Sequence, residues 1–266
     1  MTKRQVTTKG SFMEQKRKEL KGVYAQLHKE QQLLLSQFSF DNFVEYIMLD
    51  EKGKYAKQAE IHMSWTRFIE DCWKDRINPA ILAPWGHGKS MQQAIGRPLF
   101  ELGRDLNLRI KIVCNSANNA TKRVTTLKNY IEQSNRLHEV FPHVVPGFDH
   151  WTNTSLNVAG RLFSDVDHSI ESYGIESRAV GGRADLIIFD DVVDDKSEQS
   201  PAHRKMVKDN FENVFMSRLE PEGRVVFIGT MWHVDDLNAN LIGSPGWRFM
   251  IQGISENFKY IEEVII

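Results

Sequence analysis

The chain has 266 residues, 41% hydrophobic and 26% charged, and its 34 basic side chains nearly balance 35 acidic ones at a net charge of −1. These proportions are typical of a soluble globular protein and exclude a disordered or collagen-like chain. No apolar run approaches the roughly 20 residues that span a bilayer, and the polar residues 1–15 predict no secretory signal. Two cysteines, Cys72 and Cys114, are too few for a disulfide framework or a cysteine-rich zinc site, which predicts reduced core residues in a cytoplasmic compartment.

The N-terminal part of the chain is predicted to be helical. Leu20, Val23 and Leu27 lie near helical spacing, and turn residues separate this stretch from the next apolar patterns. Three helices are predicted here, at residues 13–38, at 41–49 with Asp41 as the cap, and at 59–74. The first 30 residues hold eight Lys or Arg against three Glu, which indicates either a basic arm for nucleic acid or a solvated helix face.

Beyond residue 75, short and continuously apolar runs alternate with helix-like segments. Strands are predicted at residues 79–83, 108–114, 184–189 and 223–229. Helices are predicted at residues 89–102, at 116–133 with Ser116 as the cap, at 201–217 and at 235–242. The stretch 142–182, rich in Gly, Ser, Thr and Asn, is predicted to hold short strands and loops. Continuously apolar strands are buried on both faces, so the alternation predicts an α/β fold with a mostly parallel sheet sandwiched by helices.

Residues 83–90, Ala-Pro-Trp-Gly-His-Gly-Lys-Ser, follow a predicted strand and open a predicted helix, which is the setting of a phosphate-binding loop. Gly86 and Gly88 let successive backbone N–H groups turn inward around an anion, and the helix N-terminus adds partial positive charge. Lys89 is placed to reach the β- and γ-phosphates, and the Ser90 hydroxyl to complete a Mg²⁺ shell. The usual first glycine of such a loop is Ala83 here, which leaves an ordinary strand-to-helix turn as the alternative.

A second motif supplies carboxylates at the end of the predicted strand 184–189. Asp190 and Asp191 emerge where ligands bind in a parallel α/β sheet, at the carboxyl end of the strand. Asp190 is expected to contact Mg²⁺, directly or through water, and Asp191 to polarise the attacking water as a general base. An acidic turn without a ligand is the alternative for this motif alone.

Two further features concern the transferred phosphoryl group. Thr230 ends the predicted strand 223–229, where its hydroxyl can report hydrolysis to the following segment or simply close a turn. An ATPase also needs a cation on that group. Arg178 and Arg183 precede the acidic strand and are candidates to supply it, in cis or across a subunit contact, with a surface or structural role as the alternative.

Three blocks of the sequence together resemble the ATPase domain of the large terminase subunits of tailed bacteriophages, which are viral DNA-packaging motors. They are Ala-Pro-x-Gly-His-Gly-Lys-Ser at 83–90, Gly-Gly-Arg-Ala-Asp-Leu-Ile-Ile-x-Asp-Asp at 181–191, and Gly-Thr-x-Trp-His-x-Asp-Asp-Leu at 229–237. The blocks occur in family order, and the resemblance covers roughly residues 57 to 250. The last block is the most family-specific, because other P-loop proteins do not carry it.

The resemblance implies an additional-strand P-loop fold that binds ATP and Mg²⁺. It implies a helical extension at residues 1–56, an ATPase domain at 57–254 and a linker at 255–266. Lys89 and Ser90 match the family's Walker A residues, Asp190 its metal carboxylate, Asp191 its catalytic acid, and Gly229 with Thr230 its coupling motif. The remaining nucleotide-contacting positions implied by the resemblance are Trp85, Gly86, His87 and Gly88 in the loop, and Gln58 with His62 near the adenine.

Two positions depart from the family pattern. Many members carry an arginine in the phosphate loop where this chain has Trp85, so γ-phosphate sensing is expected to depend on another cation. Trp85 is then free to contact the nucleotide or a neighbouring subunit. The catalytic acid is Asp191 rather than the commoner glutamate, and because aspartate is one methylene shorter, the attacking water must lie closer or the strand must shift. Both departures leave nucleotide binding intact and bear on the rate of hydrolysis.

The family resemblance also implies partners. They are double-stranded DNA, a portal, a small terminase subunit and further copies of the chain in a ring, with no membrane, in the cytoplasm of the infected bacterial host. Contacts to DNA are expected to be mainly to phosphates and therefore independent of sequence. Family members usually continue into an RNase H-like nuclease domain, for which residues 255–266 leave no room, so nuclease activity is not expected of this chain.

Two other functions stay open at this stage. One is a different P-loop enzyme, such as a helicase or a small-molecule kinase, against which the block at 229–237 argues. The other is a non-catalytic nucleic-acid or assembly module with a degenerate nucleotide site, which Trp85 and Asp191 keep open.

Overall fold

The computed structural model of the protein describes residues 4–162, 164–178, 180–253 and 263–265. Within these residues nine strands form one sheet in the order β3-β4-β5-β2-β6-β7-β1-β8-β9. The strands are β1 (Asn78–Leu82), β2 (Ile110–Cys114), β3 (Pro146–Trp151), β4 (Ser155–Val158), β5 (Ile170–Gly174), β6 (Ala184–Asp190), β7 (Leu219–Gly229), β8 (Trp247–Gln252) and β9 (Glu263–Ile265). The six strands from β5 to β8 are mutually parallel, and β3, β4 and β9 extend the sheet by antiparallel pairing.

Helices cover both faces of this sheet. They are α1 (Arg4–Phe38), α2 (Phe40–Ile47), α3 (Glu60–Lys74), α4 (Arg97–Arg104), α5 (Ala117–Gln133), α6 (Asn135–Val140), α7 (Asp195–Gln199), α8 (Pro201–Asn210) and α9 (Leu237–Leu241). The predicted α/β class, the mostly parallel sheet and the N-terminal helices are therefore confirmed. Strand β7 lies between β1, which precedes the phosphate loop, and β6, which carries the acid pair, so the sheet has the predicted additional strand.

The central strands are apolar on both sides because each side faces its own hydrophobic core. In β1, Ile81 packs into the core formed with α2, α3, α4 and α5, whereas Ala80 and Leu82 pack into the core formed with α8 and α9. The same alternation in β6 sends Ile188 to the first core and Phe189 to the second. A polar side chain on either face would be buried, which explains the continuously apolar runs of the sequence.

The cap predicted for the second helix is corrected by the structure. The helix predicted at 41–49 begins at Phe40, and its cap is Ser39, whose side chain accepts a hydrogen bond from the backbone N–H of Asn42. Asp41 lies in the first turn, where its carboxylate accepts a 2.6 Å hydrogen bond from the Thr66 hydroxyl and so joins α2 to α3. Asp41 is thus a link between two helices rather than a cap.

The helix predicted at 89–102 is present, but it contains a π-helical segment, Met91–Gly96, ahead of α4. Pro98 lies at the start of α4 and has no backbone N–H to donate to the carbonyl four residues earlier, where its ring also crowds the normal α-helical path. Widening the preceding turn relieves that conflict. The helix that begins at the phosphate loop therefore changes its pitch within the first two turns.

Residues before position 57 take two different roles. Most of α1 projects from the fold, and Leu20, Tyr24 and Leu27 are exposed, while its C-terminal end is attached through partly buried Leu33. By contrast α2 belongs to the core of the first sheet face, where the Phe43 ring contacts Phe100 at 5.3 Å between centroids. Residues 40–47 therefore pack into the hydrophobic core on the first face of the sheet.

The proposed domain boundaries at residues 56 and 254 stay predictions, and most of the proposed linker, residues 255–262 and 266, lies outside the described residues. The described residues 263–265 pair with β8 as strand β9. Across the part of the chain that the structure describes, we find no helix with the length and apolar character needed to span a bilayer.

Candidate active site

The carboxyl ends of three neighbouring strands bring the predicted motifs to one edge of the sheet. In the strand register, Leu82 at the end of β1 lies opposite Gly229 at the end of β7, and Ile228 of β7 lies opposite Asp190 at the end of β6. The phosphate loop, Thr230 and the acid pair therefore leave the sheet side by side. The two sequence motifs therefore lie at the same edge of the sheet.

The phosphate loop has the backbone conformation that its glycines predict. Gly86 and Gly88 both have φ of +78°, in the left-handed region, and a Cβ atom added at either would meet no atom within 4 Å. Glycine is required here by backbone conformation rather than by lack of space. Alternation of left-handed and right-handed residues turns successive N–H groups toward one point, which makes an anion-binding nest.

Lys89 begins the helix that follows the loop and is 5% exposed. Its ammonium donates to the carbonyl oxygens of Ala83 and Pro84, the latter at 2.9 Å, and lies 3.4 Å from the Thr230 hydroxyl. Burial lowers the pKa of Lys89, and the carboxylates of Asp191 and Asp190 oppose that shift. The charge is thus held beneath the loop by neutral acceptors that a phosphate oxygen can replace.

Ser90 and Asp190 present oxygens to each other across the two motifs. The Ser90 hydroxyl donates a 2.7 Å hydrogen bond to Oδ1 of Asp190, whose side chain is fully buried. A hydroxyl and a carboxylate at this spacing are the oxygen donors that Mg²⁺ prefers, usually with substrate phosphates and water completing its shell. The donor set fits the predicted cation, with Ser90 and Asp190 as the residues that would hold it.

Asp191 combines a left-handed backbone conformation with a buried carboxylate. Its φ of +48° is unusual for a residue other than glycine, and its backbone N–H donates to the Ile228 carbonyl at 2.9 Å. Its Oδ1 atom is buried without a hydrogen-bond partner in the structure. Burial, with a smaller effect from the neighbouring Asp190 charge, raises the pKa of Asp191 to about 6. Strain and an unsatisfied buried oxygen are typical of a residue kept for function rather than for stability.

The raised pKa of Asp191 predicts that the Asp191→Asn variant is more stable than the wild type at pH 8. The folded protein holds this proton up to about pH 6, whereas the unfolded chain releases it near 3.8, so stability from this group is complete at low pH and is lost as the pH rises through 6. The ionised carboxylate then destabilises the fold by about 1–2 kcal/mol, allowing for solvent screening of a shift of this size.

Urea unfolding in EDTA, without nucleotide, measures this difference at pH 8 and again at pH 5, where the two proteins should approach each other. Glu19→Gln, a change of an exposed carboxylate on α1, is the control and should alter neither value. Equal stability of Asp191→Asn and the wild type at pH 8 would show that the ionised Asp191 carboxylate does not destabilise the folded protein.

The segment after β7 is held as a tight turn. Asp236, buried at 1% exposure, accepts hydrogen bonds from the backbone N–H groups of Trp232, His233 and Ala239, and so caps α9. The Asn238 amide donates to the Thr230 carbonyl at 2.9 Å. This hydrogen bond joins Thr230 to α9. Asp236 and Asn238 have this structural role although the sequence analysis assigned them none.

The motifs open into a cleft of about 770 Å³, which is within the usual range for a small-molecule site. Its lining includes residues 85–90 of the loop, Asp191, and residues 48–52 between α2 and α3. Part of the wall is apolar. It is formed by Met48, Leu49, Met91, Ile95 and the ring of Tyr130, whose hydroxyl accepts a hydrogen bond from the Leu49 N–H.

Gln58 and His62, predicted near the adenine, contact the loop or the helix after it and are not among the residues that line the cleft, so their contact with adenine stays a prediction. The Gln58 side chain accepts a 2.9 Å hydrogen bond from Gln92, in the helix that follows the loop. His62 accepts from the Ala59 N–H through Nδ1, so its proton is on Nε2, which lies 3.2 Å from the His87 carbonyl. Burial lowers the pKa of His62, which favours this neutral form. The His62 imidazole thus holds the loop at His87, whereas Nε2 of Gln58 is buried without a hydrogen-bond partner in the structure.

Comparison with known proteins is informative about the fold. The chain matches no protein-family model and no curated protein. Among solved structures it is similar to the HK97 bacteriophage large terminase, with a TM-score of 0.53 and 15% identity over 78% of this chain. The fold is terminase-like. The chain spans 41% of the length of that terminase, and at this identity the likeness concerns the fold alone.

The terminase-like sheet places the two predicted catalytic arginines differently from each other. Arg183 precedes β6, so about 20 Å of strand separates it from Asp190 at the other end, given roughly 3.3 Å per residue. There it forms a 3.3 Å ion pair with Glu220. Arg183 therefore cannot reach this chain's own cleft, contrary to the expectation in cis. Arg178 is exposed beyond the end of β5, on the same edge of the sheet as Asp190, and a contact across subunits stays a prediction for it.

Arg123 belongs to the site although the sequence analysis did not find it. It lies on α5, lines the cleft, and donates from Nε to Oδ2 of Asp190 at 2.6 Å. The available signal was indirect: α5 follows β2, which neighbours β6, and Arg123 lies between its buried positions Ala120 and Val124. A lone arginine on an amphipathic helix has no motif, so only the fold assigns it here.

Proposed function

We propose that the chain binds Mg-ATP in this cleft and hydrolyses it as the motor domain of a terminase-type DNA-packaging machine. The observation that carries the proposal is the 2.7 Å hydrogen bond from Ser90 to Asp190, which joins the lysine-bearing loop to the acid pair at one edge of the sheet. A degenerate module would not need a buried carboxylate opposite the loop hydroxyl. The terminase-like fold supports the choice of this class of P-loop protein over others.

In this proposal the triphosphate lies along the backbone nest formed at Gly86 and Gly88, and Lys89 turns from its carbonyl acceptors to phosphate oxygens. Mg²⁺, when bound by Ser90 and Asp190, would neutralise charge on the β- and γ-phosphates. The apolar wall around Leu49 offers a surface for the nucleobase.

Asp191 acts on the water that attacks the γ-phosphorus. Its carboxylate orients the water and accepts its proton while the bond to the β–γ bridging oxygen breaks, and ADP leaves with the electron pair. The buried Oδ1 atom without a partner is the available acceptor. Because Asp191 is shorter than the usual glutamate, its left-handed backbone conformation helps to aim the carboxylate from the strand end.

Thr230 and the turn after it couple hydrolysis to motion in this proposal. The Thr230 hydroxyl lies next to Lys89, and its carbonyl is held by Asn238 of α9. Release of the γ-phosphate changes the partners of Lys89 and therefore the environment of Thr230. The short helix α9 is then the first element to move.

The wider assembly follows from the same proposal. The partners would be duplex DNA, a portal, a small terminase subunit and further copies of this chain in a ring, in the cytoplasm of an infected bacterium. Arg178 would supply a cation across a subunit contact, and the isolated chain would then be slow. Contacts to DNA phosphates would make any stimulation by DNA sensitive to salt.

Phosphate release from Mg-ATP by the wild-type chain, measured with and without duplex DNA, tests the proposal. We expect turnover that needs Mg²⁺ and is stimulated by DNA of any sequence, with the stimulation declining between 50 and 200 mM salt as expected for phosphate contacts. Transfer of the phosphoryl group to an added small molecule would indicate a kinase. Nucleotide binding with no phosphate release under any of these conditions would indicate a non-catalytic module and overturn the proposal.

A further inference from the structure

Arg123 holds the carboxylate that the proposed function assigns to Mg²⁺. The two oxygens of Asp190 are divided between Ser90, which donates to Oδ1 at 2.7 Å, and Arg123, which donates to Oδ2 at 2.6 Å. Asp190 is fully buried, whereas the Arg123 side chain is 30% exposed and lines the cleft. The carboxylate is fixed, and the arginine is the partner with room to move.

The cleft needs a cation near the transferred phosphoryl group that the loop does not provide. Trp85, the large exposed residue of the loop, carries no charge and is 86% exposed. Among the described residues three cations line the cleft: Lys52 on the exposed segment 50–54, Lys89 beneath the loop, and Arg123 opposite the loop on α5. Of these, Arg123 is the one already placed beside the acid pair.

An arginine suits this position better than a lysine. Its planar group presents several N–H donors at fixed angles, so it can bind a carboxylate or a phosphate oxygen pair in the same way. Moving from Asp190 to a phosphate exchanges one charge-assisted hydrogen bond for another, so the change has a small net free energy. Arg123 is anchored by buried neighbours on its own helix, Ala120, Val124 and Leu127, which keep α5 in place while the side chain moves.

We propose that Arg123 exchanges partners when nucleotide binds: it pairs with Asp190 in the empty site and moves to the terminal phosphate in the loaded site. In the empty site it neutralises the buried Asp190 carboxylate. In the loaded site it supplies, in cis, the cation that Trp85 cannot. This inference rests on the proposed function, because it requires a nucleotide with a terminal phosphate in the cleft.

The first test uses the protein without nucleotide. Binding of Mn²⁺ alone, followed by the loss of the free-ion electron paramagnetic resonance signal, is measured for the wild type and for Arg123→Ala. Because the arginine competes for Asp190, its removal should tighten Mn²⁺ binding severalfold. Lys122→Ala, which removes an exposed cation from the neighbouring position of α5, is the control and should leave Mn²⁺ affinity unchanged. A purely structural role for Arg123 predicts equal or weaker binding in Arg123→Ala, and that result would overturn the exchange.

The second test compares two nucleotides that differ in the terminal phosphate. For Arg123→Ala we expect Mg-ADP affinity within about twofold of the wild type and Mg-AMP-PNP affinity about tenfold weaker, as for one charge-assisted hydrogen bond. Turnover should fall by at least a similar factor. Arg123→Lys should recover part of the AMP-PNP affinity, and thermal unfolding checks that both variants are folded.

The outcomes separate this inference from the proposed function. Suppose that the wild type hydrolyses ATP and that Arg123→Ala loses affinity for Mg-ADP and Mg-AMP-PNP equally, or loses affinity for neither. The exchange is then wrong and the proposed function stands. If the wild type binds neither nucleotide, the proposed function fails and the exchange fails with it.

Discussion

Phosphate release by the Asp191→Asn variant is expected to be about a hundredfold slower than by the wild type, while Mg-AMP-PNP affinity stays within about twofold. Loss of a positioned general base typically lowers a rate by about 10²–10⁴-fold. The amide can still accept a hydrogen bond from water, but it cannot accept its proton. Binding is spared because Asp191 contacts neither the phosphate nest nor Lys89 through a hydrogen bond in the structure.

Asparagine is the appropriate replacement because of the backbone at this position. Asn and Asp both tolerate the left-handed region, whereas alanine at a φ of +48° would add strain and confuse a catalytic effect with a structural one. Single-turnover phosphate release, measured with saturating enzyme, separates the chemical step from product release. Turnover of Asp191→Asn within threefold of the wild type would remove Asp191 from the catalytic role.

The same variant links rate to stability. Burial and the adjacent Asp190 charge make the ionised Asp191 carboxylate a cost to the folded protein at neutral pH. The same two features raise the pKa of Asp191 toward the working pH and so make it an effective base. A slower but more stable variant would therefore be explained by one cause. This trade-off is expected where an active site keeps a strained, unsatisfied group.

Much of the fold could be predicted because its signals are local. The strand β1, the glycines at 86 and 88, and the Ser116 cap of α5 each depend on a few neighbouring residues, and the structure has them as predicted. Alternation of apolar strands with helices then leaves few ways to build a covered parallel sheet. Asp41 was misassigned as a cap because Ser39 and Asp41 are both suitable cap residues within the same turn.

The site was predicted where one motif contains its residues and missed where tertiary packing assembles it. Ser90 and Asp190 are 100 residues apart in the sequence, and they meet because the strands before them lie close together in the sheet. The occurrence of both motifs in one sequence predicts this meeting. Arg183 and Arg123 could not be assigned from sequence patterns. Whether an arginine lies at the edge of the sheet that holds the cleft or at the opposite edge depends on where its strand or helix begins. No local pattern distinguishes the two arginines.

Replacing Lys89 by alanine is expected to lower Mg-AMP-PNP affinity by about a hundredfold and kcat/KM for ATP by on the order of a thousandfold. Two charge-assisted hydrogen bonds of about 1.5 kcal/mol each account for the loss of affinity, and the same charge acts on the transferring phosphoryl group. Fluorescent-nucleotide titration and phosphate release measure the two quantities. Lys205→Ala, which removes an exposed cation from α8, is the matched control.

The loss in Lys89→Ala has to be distinguished from unfolding, because the buried ammonium suffers a desolvation cost, which lowers its pKa, and also compensates the charges of Asp191 and Asp190. Thermal unfolding of the nucleotide-free variant checks this directly. Unchanged AMP-PNP affinity in a folded Lys89→Ala protein would mean that the loop does not hold phosphates. The two variants divide the site differently: Lys89→Ala loses binding and turnover together, whereas Asp191→Asn loses turnover alone. A degenerate nucleotide-binding module could show the loss of binding in Lys89→Ala, but it has no turnover for Asp191→Asn to lose, so the pair of results together identifies a hydrolytic site.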